Sequence, residues 1–280
     1  MQSSRVRLML VALFGVLALG ALTAAAAQAV EAPRWSIAGK TLELKANGEP
    51  ETHFISAKIY TTKEFTNRFT LTAVTGQIIS CLAVKLKEGS LLGTAAGNGG
   101  KNDEVLEFYG NCEVKNNGSA CKVTEPIVTN NVKSELVLTE KAEPAKEKGS
   151  LLTLFEAENT SIGFVTLHFT GTCTIKEAIV SGKVAGQVLV DPENGTLGEK
   201  LVELPKVNST EAKSWLINFP KAPITRVGRI KGGVLTEENI ALTVFGEPGA
   251  TLSGTTLVLL AKREANGLLV SEETKWSPLP

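Results

Sequence analysis

Beyond the first thirty residues, apolar and polar side chains alternate along most of this chain with a period of two. Ile78, Leu82, Val84 and Leu86 fall on one side, while Lys85 and Lys87 fall on the other. Such alternation marks a strand with one face on a core and the other in water. Leu106, Phe108, Cys112 and Val114 share a face opposite Glu107, Tyr109, Asn111 and Glu113. Val165, Leu167, Phe169, Cys173 and Ile175 do the same opposite Thr166, His168, Thr170, Thr172 and Thr174. Further strands are predicted over residues 37–44, 53–60, 69–74, 132–138, 184–190, 213–219, 240–245, 252–261 and 268–270. Turn pairs such as Asn47-Gly48, Asn194-Gly195, Pro248-Gly249 and Asn266-Gly267 separate them. Residues 140–148 favour helix by composition, but Pro144 interrupts them and they read as a solvated connection. The pattern predicts an all-β fold, an antiparallel β-sandwich or a barrel-like domain.

One stretch of this pattern occurs twice. Leu106, Phe108, Gly110, Cys112 and Val114 return as Leu167, Phe169, Gly171, Cys173 and Ile175, 61 residues later. A Gly-Ser-Leu-Leu block precedes each copy, at residues 89–92 and 149–152. The match predicts an internal duplicated strand unit whose copies are equivalent strands of two sheets. Gly110 and Gly171 fall on the inward face, where a missing side chain admits a bulge, a bend or a neighbouring ring.

The first 29 residues read as an export signal. Arg5 and Arg7 precede an apolar run from Leu8 to Leu22, and Ala27-Gln28-Ala29 offers a cleavage site with small residues. A retained membrane anchor is the rival reading, because the apolar stretch approaches the length of a span. Residues 30–280 are then one exported all-β domain, with a candidate subdivision near residues 191–229, where Pro192, Pro205, Pro220 and Pro223 cluster. No later segment is apolar enough to cross a membrane, so none is expected after signal cleavage.

Export changes the reading of the cysteines. Four of them, an even number, predict two disulfides in an oxidising compartment. Cys112 and Cys121 flank Asn116-Asn117-Gly118-Ser119, and a hairpin symmetric about Asn116 and Asn117 sets them opposite each other. That register predicts Cys112 with Cys121, which leaves Cys81 with Cys173. No C-x-x-C pair supports zinc or thioredoxin-like chemistry.

Charge removes two partner classes. The chain has 29 basic and 29 acidic residues, and loss of Arg5 and Arg7 leaves it almost balanced. Such a surface lacks the field that draws nucleic acid or anionic membranes.

Candidate chemistry is sparse. The two histidines, His53 and His168, have no partners at motif spacing, and both read as surface strand residues. The Gly-rich run from Gly93 to Gly100 precedes Lys101, yet Ala95 and Asn102 stand where a phosphate loop needs Gly and Ser or Thr. Residues 191–196 lack the ligand ladder of a calcium loop and read as a turn. The sequence therefore assigns no catalytic, cofactor-binding or metal-ligating residues, and the protein reads as a non-enzyme. Trp215 alternates with Ile217 and Phe219 and reads as core. Trp35 and Trp276, near the two ends of the mature chain, form either a ligand platform or a terminal clamp. With His168 they are the ligand-contact candidates.

An Ile-Ser-Cys strand at residues 79–81, two Phe-x-Gly-x-Cys segments, and Cys121-x-Val123 running into Pro126-Ile127-Val128-Thr129-Asn130 resemble the uncharacterised secreted β-rich proteins of soil actinobacteria. The resemblance spans residues 78–190. It implies a bacterial exported protein, secreted or at the cell surface, and brings no activity with it. Three functions follow in order. The first is a non-catalytic structural or protein-interaction module of the envelope, with an envelope protein or a polysaccharide as partner. The second is a glycan or small-ligand binding module, and the third is a hydrolase using an acidic pair that the sequence conceals.

Overall fold

A computed structural model of the chain describes residues 31–59, 68–94, 100–116, 120–141, 149–190 and 212–279. The export signal and most of the proline-rich stretch lie outside the described residues, as does the 142–148 connection. The first strands are β1 (Arg34–Ile37), β2 (Lys40–Thr41), β3 (Thr52–Ile59), β4 (Phe69–Thr72), β5 (Ile78–Cys81), β6 (Ala83–Leu92) and β7 (Lys101–Tyr109). Next come β8 (Glu113–Lys115), β9 (Cys121–Val123), β10 (Ile127–Val128), β11 (Val132–Thr139), β12 (Leu151–Ala157), β13 (Val165–Gly171) and β14 (Glu177–Val190). The last are β15 (Ser214–Phe219), β16 (Arg226–Lys231), β17 (Val234–Asn239), β18 (Leu242–Val244), β19 (Glu247–Arg263), β20 (Leu269–Ser271) and β21 (Trp276–Leu279). The fold is all-β and antiparallel, with no helix among the described residues.

Strand pairing closes on itself twice. One ring runs β3-β6-β7-β11-β12-β14-β15-β19 and returns to β3. A second runs β4-β5-β8-β9-β13-β14-β18-β19 and returns to β4. The long strands β14 and β19 belong to both rings, β5 runs into β6, and β7 runs into β8. Since the two rings keep the same order around the axis, they form one eight-stranded barrel in two tiers. Closure leaves the wall no free edges and commits alternate side chains to the interior.

Glycine lets the shared strands turn from tier to tier. In β14 the switch falls at Gly182 (φ +92°), after which the strand leaves β18 for β12. In β19 it falls at Gly254 (φ +145°), between the β4 and β15 pairings. A Cβ at Gly182 would stand 2.2 Å from the Ala241 carbonyl oxygen, and one at Gly254 would stand 2.9 Å from the Phe69 ring. Positive φ and close approach together require glycine at both places.

The terminal strands plug the first tier. Strand β1 pairs with β21, from Arg34 opposite Leu279 to Ile37 opposite Trp276, in a small sheet with β2. Outside the barrel, the β16-β17 hairpin attaches to β11, and Val227 and Ile240 cover Val137, Leu152, Leu154 and Ala185. The outward residues there are buried as well as the inward ones, which erases the alternation that period-two reading depends on. The β12 strand escaped prediction for that reason, and the hairpin was not predicted either. The Gly232-Gly233 turn, with φ of +57° and +79°, was the legible signal for the hairpin.

The expected disulfides are corrected: the bridges are Cys81–Cys112 and Cys121–Cys173. The hairpin register is Glu113 opposite Lys122, shifted from the symmetric one, so Cys112 does not face Cys121. Strand β8 instead pairs with β5, with Ser80 opposite Glu113, and continuing that register sets Cys81 beside Cys112. Cys173 follows Gly171, which lies opposite Cys121 across β13 and β9. Non-reducing peptide mapping should recover these two pairs, and a Cys112–Cys121 peptide would overturn the register. The two repeat copies are also not equivalent strands of two sheets. Both lie in the one barrel, Gly110 at the link from β7 to β8 and Gly171 at the end of β13. They share the bend, with φ of +78° and +79°, that precedes each half-cystine.

Candidate ligand-binding site

Alternation along the wall strands sends Leu, Val and Phe inward, but the interior is not filled. It leaves space for the centre of a water-sized sphere over about 130 Å3, with walls from both tiers and almost wholly apolar. That is several times what one water needs. Phe69 forms edge contacts with Phe108 at 5.6 Å and Phe219 at 6.1 Å, and Phe155 lies 5.4 Å from Phe219, so four rings from four wall strands border the space.

Polar groups enter this lining at a few positions. Trp35 Nε1 donates to Asn102 Oδ1 at 2.9 Å, and Asn102 Nδ2 donates to Glu104 Oε1 at 3.1 Å. Ser134 Oγ donates to the same Oε1 at 2.8 Å. Strand pairing explains the group: Asn102 and Glu104 alternate inward on β7, and Asn102 faces Ser134 across β11. Every donor in the chain points toward Glu104. Burial nevertheless raises the Glu104 pKa, and the bonds from Ser134 and Asn102 only partly offset that. On β12, Thr153 Oγ1 lines the same space, buried and without a hydrogen-bond partner. Uncompensated burial of a hydroxyl costs roughly 1–3 kcal/mol.

The raised Glu104 pKa fixes a sign. Above the ordinary glutamate value of 4.5 the unfolded state sheds this proton while the folded state keeps it. Glu104 therefore lowers stability progressively as pH rises from there through its folded pKa. Glu104→Gln keeps the oxygen that Asn102 and Ser134 bond to and removes the titration. Its stability relative to the parent protein should rise between pH 4.5 and pH 8 in denaturant titrations, and a difference independent of pH would contradict this.

Trp35 and Trp276 sit at the plugged end, with ring centroids 4.9 Å apart, and Trp215 lies 6.4 Å from Trp276. Trp215 Nε1 donates to the Trp276 carbonyl at 3.0 Å. All three tryptophans are buried, so the terminal clamp describes Trp35 and Trp276, and neither forms an exposed platform. Both still border the cavity. His168 stands apart on the outer surface, with Nδ1 3.1 Å from a Glu177 carboxylate oxygen. His53 is likewise paired, with Glu51 at 3.0 Å. Among the described residues, no three His, Cys, Asp or Glu side chains gather as a metal site.

No known protein family, curated protein or solved structure matches this chain. The resemblance to secreted actinobacterial proteins thus rests on its short motifs. Sequence reading missed Asn102, Glu104, Ser134 and Thr153. The signal was present as polar residues at inward positions: Asn102 and Glu104 precede Leu106 and Phe108 at a spacing of two.

A polar cleft opens on the outer surface beside this wall, lined by Lys87, Glu88, Val105, Asn130, Asn131 and Glu158 among others. Thr129 borders both the cleft and the interior. Its backbone N–H donates to the Leu106 carbonyl, and its hydroxyl accepts from the Leu106 N–H, each at 2.9 Å. A side-chain bond thus closes the wall where β10 ends and β11 has yet to begin.

Proposed function

We propose that this protein binds one small apolar molecule inside its barrel and acts outside the cytoplasm as a carrier or receptor. The observation that carries this reading is the unfilled apolar interior. A core selected for stability alone is packed to crystalline density, and an empty space of this size lowers stability by forgoing contacts. The unpartnered Thr153 hydroxyl in the same lining supports a bound ligand, because one polar atom on a mainly apolar molecule would satisfy it. The volume suits a single ring or a short alkyl chain. The paired cysteines and the amino-terminal signal pattern support export, and the motif resemblance supports a bacterial source.

Titration calorimetry of the oxidised protein with ethylbenzene tests the proposal. Binding of one equivalent with Kd on the order of 0.1 mM is expected for eight heavy atoms in an apolar site. Val184→Phe, which places a ring in the lining, should abolish it while leaving the β-type circular dichroism unchanged. Absence of binding by the parent protein would return the structural or protein-interaction role in the cell envelope to first place.

A further inference from the structure

We propose that the ligand carries a basic nitrogen on its apolar body, and that Glu104 receives it inside the barrel. This inference rests on the interior being a binding site, and it names the class of molecule that site selects.

The geometry around Glu104 is one-sided. Both protein donors, Asn102 Nδ2 and Ser134 Oγ, end on Oε1. No described residue bonds to Oε2, although the side chain lines the cavity. The network cannot turn around. The Trp35 indole can only donate, so Asn102 must present its carbonyl to Trp35 and its amide N–H to Glu104. Trp35 is itself fixed by the β1-β21 plug, which ties the orientation of the chain to closure of the barrel end. A buried carboxyl held by two donors on one oxygen, with no described donor on the other and its side chain lining an apolar space, is a preorganised receptor for N–H donors.

Proton bookkeeping closes without any other reactant. Burial raises the Glu104 pKa and so favours the protonated carboxyl when no ligand is present. A neutral amine entering the cavity takes the Oε2 proton, so one O–H bond breaks, one N–H bond forms, and the products are a carboxylate and an ammonium in contact. Asn102 and Ser134 then stabilise the new negative charge on Oε1 through the bonds they already make. Glu104 is the one acidic or basic side chain in the cavity lining among the described residues. A ligand acid would find no base there, and a hydrocarbon would leave the carboxyl unused.

Calorimetry with ethylbenzene, benzyl alcohol and benzylamine, which share a ring and eight heavy atoms, tests this on the parent protein and on Glu104→Gln. Benzylamine is expected to bind the parent protein about tenfold or more tightly than benzyl alcohol, the margin of one charge-assisted bond. Glu104→Gln should lose that preference, with benzylamine and benzyl alcohol binding the variant within about twofold of each other. If ethylbenzene binds but benzylamine binds no better than benzyl alcohol, Glu104 is not the receptor and the apolar site stands. If the preference survives in Glu104→Gln, another group selects the amine and this assignment falls. If none of the three binds the parent protein, both readings fall together.

Discussion

Gly182→Ala is expected to destabilise the protein by about 3–5 kcal/mol, the largest loss from removing no interaction at all. Two costs add. The backbone there has φ +92°, where a side chain is strained, and the new Cβ would stand 2.2 Å from the Ala241 carbonyl oxygen. Neither can be relieved locally, since Gly182 pairs with Leu242 while Lys183 is already committed to Glu156 in the other tier. For a chain of this size that corresponds to a fall in Tm on the order of 10 °C. Gly232→Ala supplies the control, because φ is +57° but nothing lies within 4 Å of the new Cβ. It should cost about 1 kcal/mol. Equal losses in the two variants would show that the approach of β14 to the chain before β18 is not tight, and the account of the bend between tiers would be wrong.

Removing the disulfides in pairs should separate the true connectivity from the one expected from turn symmetry. Cys121→Ala with Cys173→Ala opens a crosslink spanning 52 residues, and Cys81→Ala with Cys112→Ala opens one spanning 31. Restricting the unfolded chain over such spans stabilises by about 4 kcal/mol in each case, so each double variant should lose about that much in denaturant titrations. Cys112→Ala with Cys121→Ala takes one cysteine from each bridge. It should lose roughly twice as much and leave two free thiols able to mispair. If this last variant kept one intact bridge and matched the others, the pairing would be refuted. All four cysteines are buried in the main core, so alanine is the appropriate replacement and buries no new polar group.

These two predictions rest on features that the sequence conveyed unequally. At Gly110 and Gly171 the strand pattern left a bulge, a bend or a neighbouring ring open, and the structure has bends there with φ of +78° and +79°. The cysteine partners were not legible, since a hairpin can shift its register while its turn residues remain plausible. Even the shifted hairpin mattered less than the pairing of β8 with β5, which brings together segments some thirty residues apart. The candidate site followed the same division. The apolar character of the interior was written in the alternation of the wall strands. Its emptiness was not, because volume depends on how eight strands close and on which side chains meet across the barrel.

Glu104 shows the limit most clearly. In the sequence it is one acidic residue among 29. Only its position on β7, two residues before Leu106 and opposite Val132, turns it inward, and only the β1-β21 plug places Trp35 where the indole can orient Asn102 against it. The period of two, the turn chemistry and the even cysteine count by themselves determined an antiparallel all-β protein with two disulfides, because each is a local consequence of backbone geometry or thiol chemistry. Which cysteines pair, how the rings close, that the barrel keeps an empty interior and that a buried carboxyl faces it were decided by tertiary structure. Those features join residues distant in the chain, and no local pattern records which distant strands will be neighbours.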